Sequence, residues 1–182
     1  YIGGGDRFLS IGRIYNLFTQ AMDLRPNSDE GKVEALAAFG SADKDLLLLL
    51  KNATNIDKNS LSIKFHVQEI QYFYDLDWLK KQRKKIGDEN FCATVQGFLE
   101  DTLVEYLEAV YQKYPISNLC LSGGVAANII MSLHIYERTN FKNIYVLPPM
   151  GDEGLAIGSA ILTAIDLKED VSWLRNFKMP YF

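Results

Sequence analysis

Leu119-Cys-Leu-Ser-Gly-Gly-Val-Ala-Ala-Asn128 passes from an apolar triplet through a serine and two glycines into small residues. Leu119, Cys120 and Leu121 read as a short buried strand, Ser122, Gly123 and Gly124 as a tight turn, and the residues beyond the turn as a helix to about Thr139. A second apolar run, Ile144, Tyr145, Val146 and Leu147, then leads through a second loop into a small-residue helix from Leu155 to Ile165. Strand, loop, helix, strand, loop, helix is the βαβ pattern of a parallel sheet. Such a crossover returns the second strand parallel to the first, so both strands end at one sheet edge. Loops 122–128 and 148–154 are therefore expected to face one cleft, where ligands of open α/β sheets bind.

The chemistry of those loops has two readings. Gly123 and Gly124 stand between a strand and a helix N-terminus, where glycine permits close approach and backbone N–H groups favour phosphate. Tight strand-to-helix turns also use glycine for steric reasons alone. In the neighbouring loop Asp152 precedes a helix, either as its N-cap or as a metal ligand. An anion-binding turn opposite a carboxylate is what holding a nucleotide with a bridging cation requires, and that pairing favours the functional reading. Asn128 can offer its amide to a ribose or phosphate, or satisfy local backbone groups. His66 and His134 are isolated and lack ligand spacing, His134 reading as a surface or rim residue. Ser122 lacks the flanking pattern of a nucleophile elbow.

Working back toward the N-terminus, Gly3, Gly4 and Gly5 make a loose entry, and Ile14, Leu17, Phe18 and Met22 give an amphipathic helix that Pro26 stops. Ser28 or Asp29 is expected to cap a short helix through Lys32, Val33, Leu36 and Ala37, ended by Gly40. Next come a leucine-rich helix over 43–51 and a strand over 61–67. Residues 68–85 read as helical with a break near Tyr74. The clearest helix carries Phe91, Val95, Phe98, Leu99, Thr102, Leu103, Tyr106, Leu107 and Val110 on one apolar face until Pro115.

With 182 residues, 48% hydrophobic, 23% charged and a formal net charge of −4, the chain has the composition of one globular domain, expected to span 1–182. Its basic residues are scattered apart from Lys80, Lys81, Arg83, Lys84 and Lys85, which read as the solvated last turn of a helix, so no nucleic-acid partner is expected. The longest apolar run, Leu46 to Leu50, is too short to cross a bilayer; no membrane association and a cytoplasmic location are expected. Cys92 and Cys120 read as buried thiols in a reducing compartment. The chain opens at Tyr1, not Met, as an excised or processed piece would.

Further segments fall in a fixed order around the glycine turn: Ser10-Ile-Gly12 with Tyr15, Glu30-Gly-Lys-Val33 through Leu36, Ala37 and Gly40, and Ala93-Thr-Val-Gln96 with Leu99-Glu100. After it come Val146-Leu-Pro-Pro-Met-Gly-Asp-Glu-Gly154 and Gly158-Ser-Ala160. Together, over about residues 8–165, these resemble the carbamoyltransferases of the antibiotic-tailoring and nodulation-factor type. The resemblance implies a helix-rich second half of an actin-like ATPase (ribonuclease H-like) fold containing the βαβ unit. It also implies an activity in which carbamoyl phosphate and ATP give a carbamoyl-adenylate, whose carbamoyl group passes to the hydroxyl of a small-molecule acceptor. Carried over by position, Gly123 and Gly124 would line the nucleotide phosphates and Asn128 would contact the adenylate. Glu30 and Lys32 would lie near the nucleotide, and Asp152 would be one ligand of a divalent metal, iron(II) in this family, supplying Lewis-acid catalysis.

The same resemblance sets expectations about what lies elsewhere. The family's paired-histidine metal motif, in the first half of the actin-like fold, has no match here. Its adenylate-forming domain comes after the region that ends near Met179-Pro-Tyr-Phe182, so residues 1–182 alone are expected to be catalytically incompetent. Ala127, Ser132 and Glu34-Ala35 depart from the family's usual residues. The related threonylcarbamoyl-transfer enzyme of tRNA modification shares the Ser-Gly-Gly-Val turn and the Asp loop. The Pro148-Pro149-Met150 version and Glu30-Gly-Lys32 favour the carbamoyltransferase, and a tRNA partner would call for a more basic surface. A noncatalytic nucleotide-binding or assembly module is the alternative of a different class. Apolar faces left uncovered would let the chain self-associate as a homo-oligomer.

Overall fold

The computed structural model describes residues 10–66 and 71–176. The expected loose entry at Gly3 to Gly5, the junction between the strand ending at Val67 and the helix beginning at Gln68, and the terminal Met179-Pro-Tyr-Phe182 lie outside them. The order is α1 (Ile11–Ala21), α2 (Glu30–Ala37), α3 (Lys44–Asn52), β1 (Thr54–Asp57), β2 (Ser62–Phe65), α4 (Leu76–Ile86) and α5 (Asp88–Lys113). Then come β3 (Asn118–Leu121), α6 (Ile129–Arg138), β4 (Asn143–Val146) and α7 (Gly154–Asp166). The protein is mixed α/β and rich in helix. It divides into two compact units, one of residues 1–119 with 128–144, the other of residues 120–127 with 145–182.

The first unit is organised on α5. Gly87, at φ +88°, starts this helix where a side-chain-bearing residue would be strained, and Pro115 stands just past its end. Asp88 and Glu89 in the first turn and Lys113 in the last complement the helix dipole. At about 1.5 Å per residue its 26 residues extend about 39 Å, enough to serve several neighbours. The expected single apolar face is corrected here: every residue from Phe91 to Gln96, then Phe98, Leu99 and Glu100, is buried, which covers most of the circumference. The neighbours that bury it are α1, α2, α3, α4 and α6. Phe91 stacks on Phe18 of α1 with centroids 4.6 Å apart, and Phe73 joins Phe18 at 6.5 Å.

Local signals explain the other helix boundaries. Ser10 Oγ accepts the Arg13 N–H at the start of α1, Asp43 Oδ1 accepts that of Leu46 at the start of α3, and Asp75 Oδ1 accepts those of Asp77 and Trp78 in α4. The break near Tyr74 is a short 3₁₀ turn, Gln71–Tyr74, ahead of α4. The cap of α2 differs from expectation. Asp29 occupies the N-cap position but its carboxylate turns back to the Arg25 N–H (3.0 Å) and to Lys32 Nζ (3.0 Å) instead of the helix amides. Gly40 serves close packing: a Cβ there would lie 2.2 Å from the Glu89 carbonyl oxygen.

β1 was not foreseen. It pairs antiparallel with β2, Thr54 opposite Phe65 and Asp57 opposite Ser62. Thr-Asn-Ile-Asp has little intrinsic strand preference, and the turn is made by Asp57 Oδ1 accepting the N–H groups of Asn59 and Ser60. In the other sheet, the Ser117 carbonyl accepts from Asn143 N–H and the Leu121 carbonyl from Leu147 N–H, so β3 and β4 run in the same direction. The parallel pair and its intervening helix are as expected. The thiols are not both buried: Cys92 is, and its burial pushes it up to about 11, whereas Cys120 is exposed. No described helix is long and apolar enough to cross a membrane.

Two glycines of the first unit respond to substitution in opposite directions. Gly40→Ala drives a methyl into the backbone of the first turn of α5 and is expected to lower unfolding free energy by about 1–3 kcal/mol. Gly31→Ala, which meets nothing within 4 Å, is expected to raise it by about 0.5–1 kcal/mol; urea unfolding of both variants checks the pair.

Arg83 Nε and Nη2 donate to both oxygens of Asp88 (2.8 and 3.0 Å), and its Nη1 reaches the Ala21 carbonyl and Asp23, tying α1, α4 and α5 together. The Arg83 guanidinium holds the Asp88 carboxyl below its ordinary value of 3.8. A depressed carboxyl stabilises the fold above its unfolded pKa and loses that contribution as pH falls through the folded one. Arg83→Ala is expected to cost about 1 kcal/mol at pH 7, given the half-exposed carboxylate, and to flatten the loss of stability below pH ~4. Unfolding measured from pH 3 to 7 reads both effects.

Candidate functional site

In the second unit the two loops after β3 and β4 meet directly. Gly123, at φ +104°, ends the strand in a conformation that L side chains rarely adopt, and its N–H donates to the Met150 carbonyl at 2.7 Å. A 3₁₀ turn, Gly124–Ala127, comes next, closed by Ala126 N–H to the Gly123 carbonyl. The bond to Met150 consumes one amide expected to be open to phosphate. Among the described residues, those of Gly124 and Val125 make no hydrogen bond. A Cβ on Gly124 would meet nothing within 4 Å, so its environment is open.

On the other loop Gly154 packs so closely that a Cβ would lie 2.5 Å from the Pro149 carbonyl oxygen, and the Pro148-Pro149 peptide is cis. Asp152 does not cap α7. The N-cap position is Glu153, which makes no side-chain cap bond, and Asp152 contributes only its carbonyl, to Leu155 N–H at 3.1 Å. Its carboxylate is exposed and makes no hydrogen bond or ion pair with the described residues. Of the two readings of Asp152, the local capping role is therefore not the one this geometry realises. No three His, Cys, Asp or Glu residues converge among those described. A cation at Asp152 would need further ligands from nucleotide oxygens, water or other residues.

In the first unit the motif residues form a buried polar circuit. Tyr15 Oη donates to Gln96 Oε1 (2.8 Å), and Gln96 Nε2 donates to Glu100 Oε1 (2.7 Å) and to Asn128 Oδ1 (3.0 Å). Asn128 Nδ2 returns a bond to Gln96 Oε1 (2.9 Å), which makes a reciprocal amide pair between α5 and the start of α6. Asn128 does not stand a turn inside the helix, as expected, but at its N-cap, with Oδ1 accepting the Met131 N–H at 2.8 Å. Glu34 of α2 accepts the next amide, that of Ile130, at 2.9 Å. Two amides in the first turn of α6, those of Ile130 and Met131, are thus taken by the protein's own oxygens, which corrects the expectation that they are free.

Burial, together with the nearby carboxylates of Glu34, Glu100 and Glu30, pushes the Tyr15 phenol well above its ordinary value, so it stays a neutral donor. His134 is tied to this circuit, its Nδ1 3.2 Å from Glu100 Oε2. Glu30 Oε1 accepts the Asn27 N–H at 2.6 Å, and Lys32 is exposed beside Asp29. Both are therefore engaged locally at the start of α2. The sequence reading placed Gln96 and Glu100 in a motif without a role; their signal was two polar residues four apart on a helix whose neighbours Val95, Phe98 and Leu99 are apolar. Glu34, met only as a departure from a pattern, gave none. An open hollow lined by Lys58, Asn59, Ala109, Gln112 and Lys113 contains none of these residues.

Comparison with known proteins bears on both units. A family model described as the N-terminus of carbamoyltransferases matches residues 5–161. The chain is 50% identical over 173 residues to an uncharacterised protein of Methanocaldococcus jannaschii, covering 95% of this chain and 28% of that protein. It is 25% identical over 163 residues to a tRNA N6-adenosine threonylcarbamoyltransferase of Lacticaseibacillus casei, 86% of this chain and 44% of the enzyme. To the nodulation protein NolO of Bradyrhizobium diazoefficiens it is 27% identical over 143 residues, 76% of this chain and 26% of that protein. The chain thus spans less than half the length of each of these relatives. Matched over most of its length by that model, the chain belongs to the carbamoyltransferase N-terminus family.

Proposed function

We propose that this chain supplies nucleotide-binding residues to an ATP-dependent O-carbamoyltransferase, as part of an actin-like ATPase fold. Carbamoyl phosphate, water and ATP yield a carbamoyl-adenylate with release of phosphate and pyrophosphate, and the acceptor's hydroxyl oxygen attacks its carbamoyl carbon. The bond from that carbon to the phosphate oxygen breaks, AMP leaves with the electron pair, and the hydroxyl proton is released. The observation that carries this reading is the meeting of the two loops at Gly123 and Met150, with an Asp152 carboxylate two residues further on that pairs with no described residue.

In this reading Gly124 and Val125 offer amides to phosphate oxygens, the role expected of Gly123 and Gly124 together. Asn128 contacts the adenylate, and Glu30 and Lys32 lie near the nucleotide. Asp152 supplies one oxygen ligand to a divalent cation, iron(II) by family resemblance. Such a cation would polarise the carbamoyl group when bound. The acceptor is a small hydroxyl-bearing molecule, and the protein works in the cytoplasm. Likeness to the tRNA enzyme supports a second reading in which the acceptor is tRNA. The net charge of −4 and the engagement of Lys80 and Arg83 with Asp23 and Asp88 favour the small molecule.

The structure makes two clean variants available. Gly124→Val adds bulk where nothing within 4 Å opposes it, and Asp152→Ala removes a side chain without partners among the described residues. Calorimetric titration with ATP and a divalent metal is expected to show each variant binding at least tenfold more weakly than the unaltered chain, with thermal unfolding unchanged. Wild-type affinity in both variants would sink the assignment. Residues 1–182 alone, spanning 28% of the first relative, are expected to give no carbamoylated product; detectable transfer by them would place the whole catalytic apparatus in this segment.

A further inference from the structure

We propose that Gln96 is a positioning residue that fixes the orientation of the Asn128 amide, so that a bound nucleotide meets a hydrogen-bond donor at Asn128 and never an acceptor. This inference rests on the proposed function, in which Asn128 touches the nucleotide.

The orientation is determined from both ends of the amide pair. A backbone N–H can only donate, so the Met131 amide at 2.8 Å selects the oxygen of Asn128 as its partner. A carboxylate can only accept, so Glu100 at 2.7 Å selects the nitrogen of Gln96. The two selections agree: Gln96 Nε2 then faces Asn128 Oδ1, and Asn128 Nδ2 faces Gln96 Oε1. Tyr15 completes the circuit by donating to the same Gln96 Oε1. Turning the Asn128 amide over would set nitrogen against nitrogen at Met131, and turning the Gln96 amide over would set oxygen against oxygen at Glu100. Gln96 is 4% exposed and Asn128 9%, so water cannot readily replace a lost bond.

The count of bonds then limits what Asn128 can offer. Its oxygen accepts twice, from Met131 and Gln96, and one of its two N–H bonds goes to Gln96. One N–H remains that no described residue uses. A ligand meeting Asn128 is recognised through an acceptor atom, such as a ribose, ring-nitrogen or phosphate position. The side chain cannot turn to suit a donor without breaking the circuit. Gln96 thereby acts on the ligand through Asn128, although its own amide is fully enclosed between Tyr15, Glu100 and Asn128.

A double-mutant cycle on ATP affinity tests this. Asn128→Asp keeps the oxygen that caps α6 and removes the donor. Gln96→Glu keeps shape and removes the N–H bonds that set the orientation. Each is expected to weaken ATP binding about tenfold, and Gln96→Glu is expected to have no further effect when Asn128→Asp is already present, because its influence passes through Asn128. Additive losses would overturn the proposal by showing that Gln96 acts through general stability, and so would unchanged affinity in Gln96→Glu beside a weakened Asn128→Asp. Unchanged affinity in a folded Asn128→Asp, or no ATP binding by the unaltered protein, would overturn the underlying reading instead. Where circular dichroism shows that Gln96→Glu does not fold, Tyr15→Phe replaces it in the cycle. Its loss of one hydroxyl is expected to weaken ATP binding about threefold alone and not at all beside Asn128→Asp. Additivity or no effect in that arm counts against the proposal.

Discussion

A 26-residue helix whose stretch from Phe91 to Glu100 is enclosed over most of its circumference imposes the governing constraint on the first unit. Apolar burial is non-directional, so Phe91, Phe98 and Leu99 can be satisfied by any well-packed neighbour, and α1, α2, α3, α4 and α6 all supply one. Polar groups on the same helix are not so tolerant. Gln96 and Glu100 lie inside the packed region, and leaving their donors and acceptors unpaired would cost about 1–3 kcal/mol each. Their partners therefore fix which residue of each neighbouring helix must arrive, and at what height along α5. Tyr15 sets the register of α1 and Asn128 that of α6.

That arrangement gives one amide two duties. Asn128 closes the first turn of α6 and pairs with Gln96, so the residue that starts the helix is also the residue that anchors it to the core. Glu34 adds a carboxylate from α2 to the same turn, which links the helix carrying Glu30 and Lys32 to it. A helix N-terminus offers unsatisfied amides and a favourable dipole to any nearby anion. In α6 two of those amides, of Ile130 and Met131, are met by the protein's own side chains, whereas the glycine turn of the second unit leaves two amides unmet among the described residues.

In the second unit the demands run the other way. α7 has no buried residue although Leu155, Ile157, Leu162 and Ile165 lie along it, and the parallel sheet has only two strands among the described residues. Parallel pairs are normally covered on both faces. Its local order comes from the loops: Gly123 holds Met150, Gly154 admits the Pro149 carbonyl, and Leu147 N–H donates to the Leu121 carbonyl.

The sequence by itself determined the elements whose signals are local. The break at Tyr74, the leucine-rich helix near residues 43–51, and the alternation of apolar runs and glycine turns that makes a parallel β3–β4 pair were all legible, because each depends on residues within a few positions of one another. β1 was not, since Thr-Asn-Ile-Asp becomes a strand only through its partner. Nor were the turned-back cap at Asp29, the exposure of Cys120 or the clash that reserves Gly40 for glycine. At the candidate site the sequence named Asp152, Asn128 and the two glycines but left each with two meanings. Tertiary structure left the Asp152 carboxylate without a local partner, took the Gly123 amide for Met150, and joined Gln96 to Asn128 across 32 positions of chain. Hydrogen bonds between distant residues are directional and exclusive, and no periodicity along the chain encodes which of several polar side chains will claim a given amide.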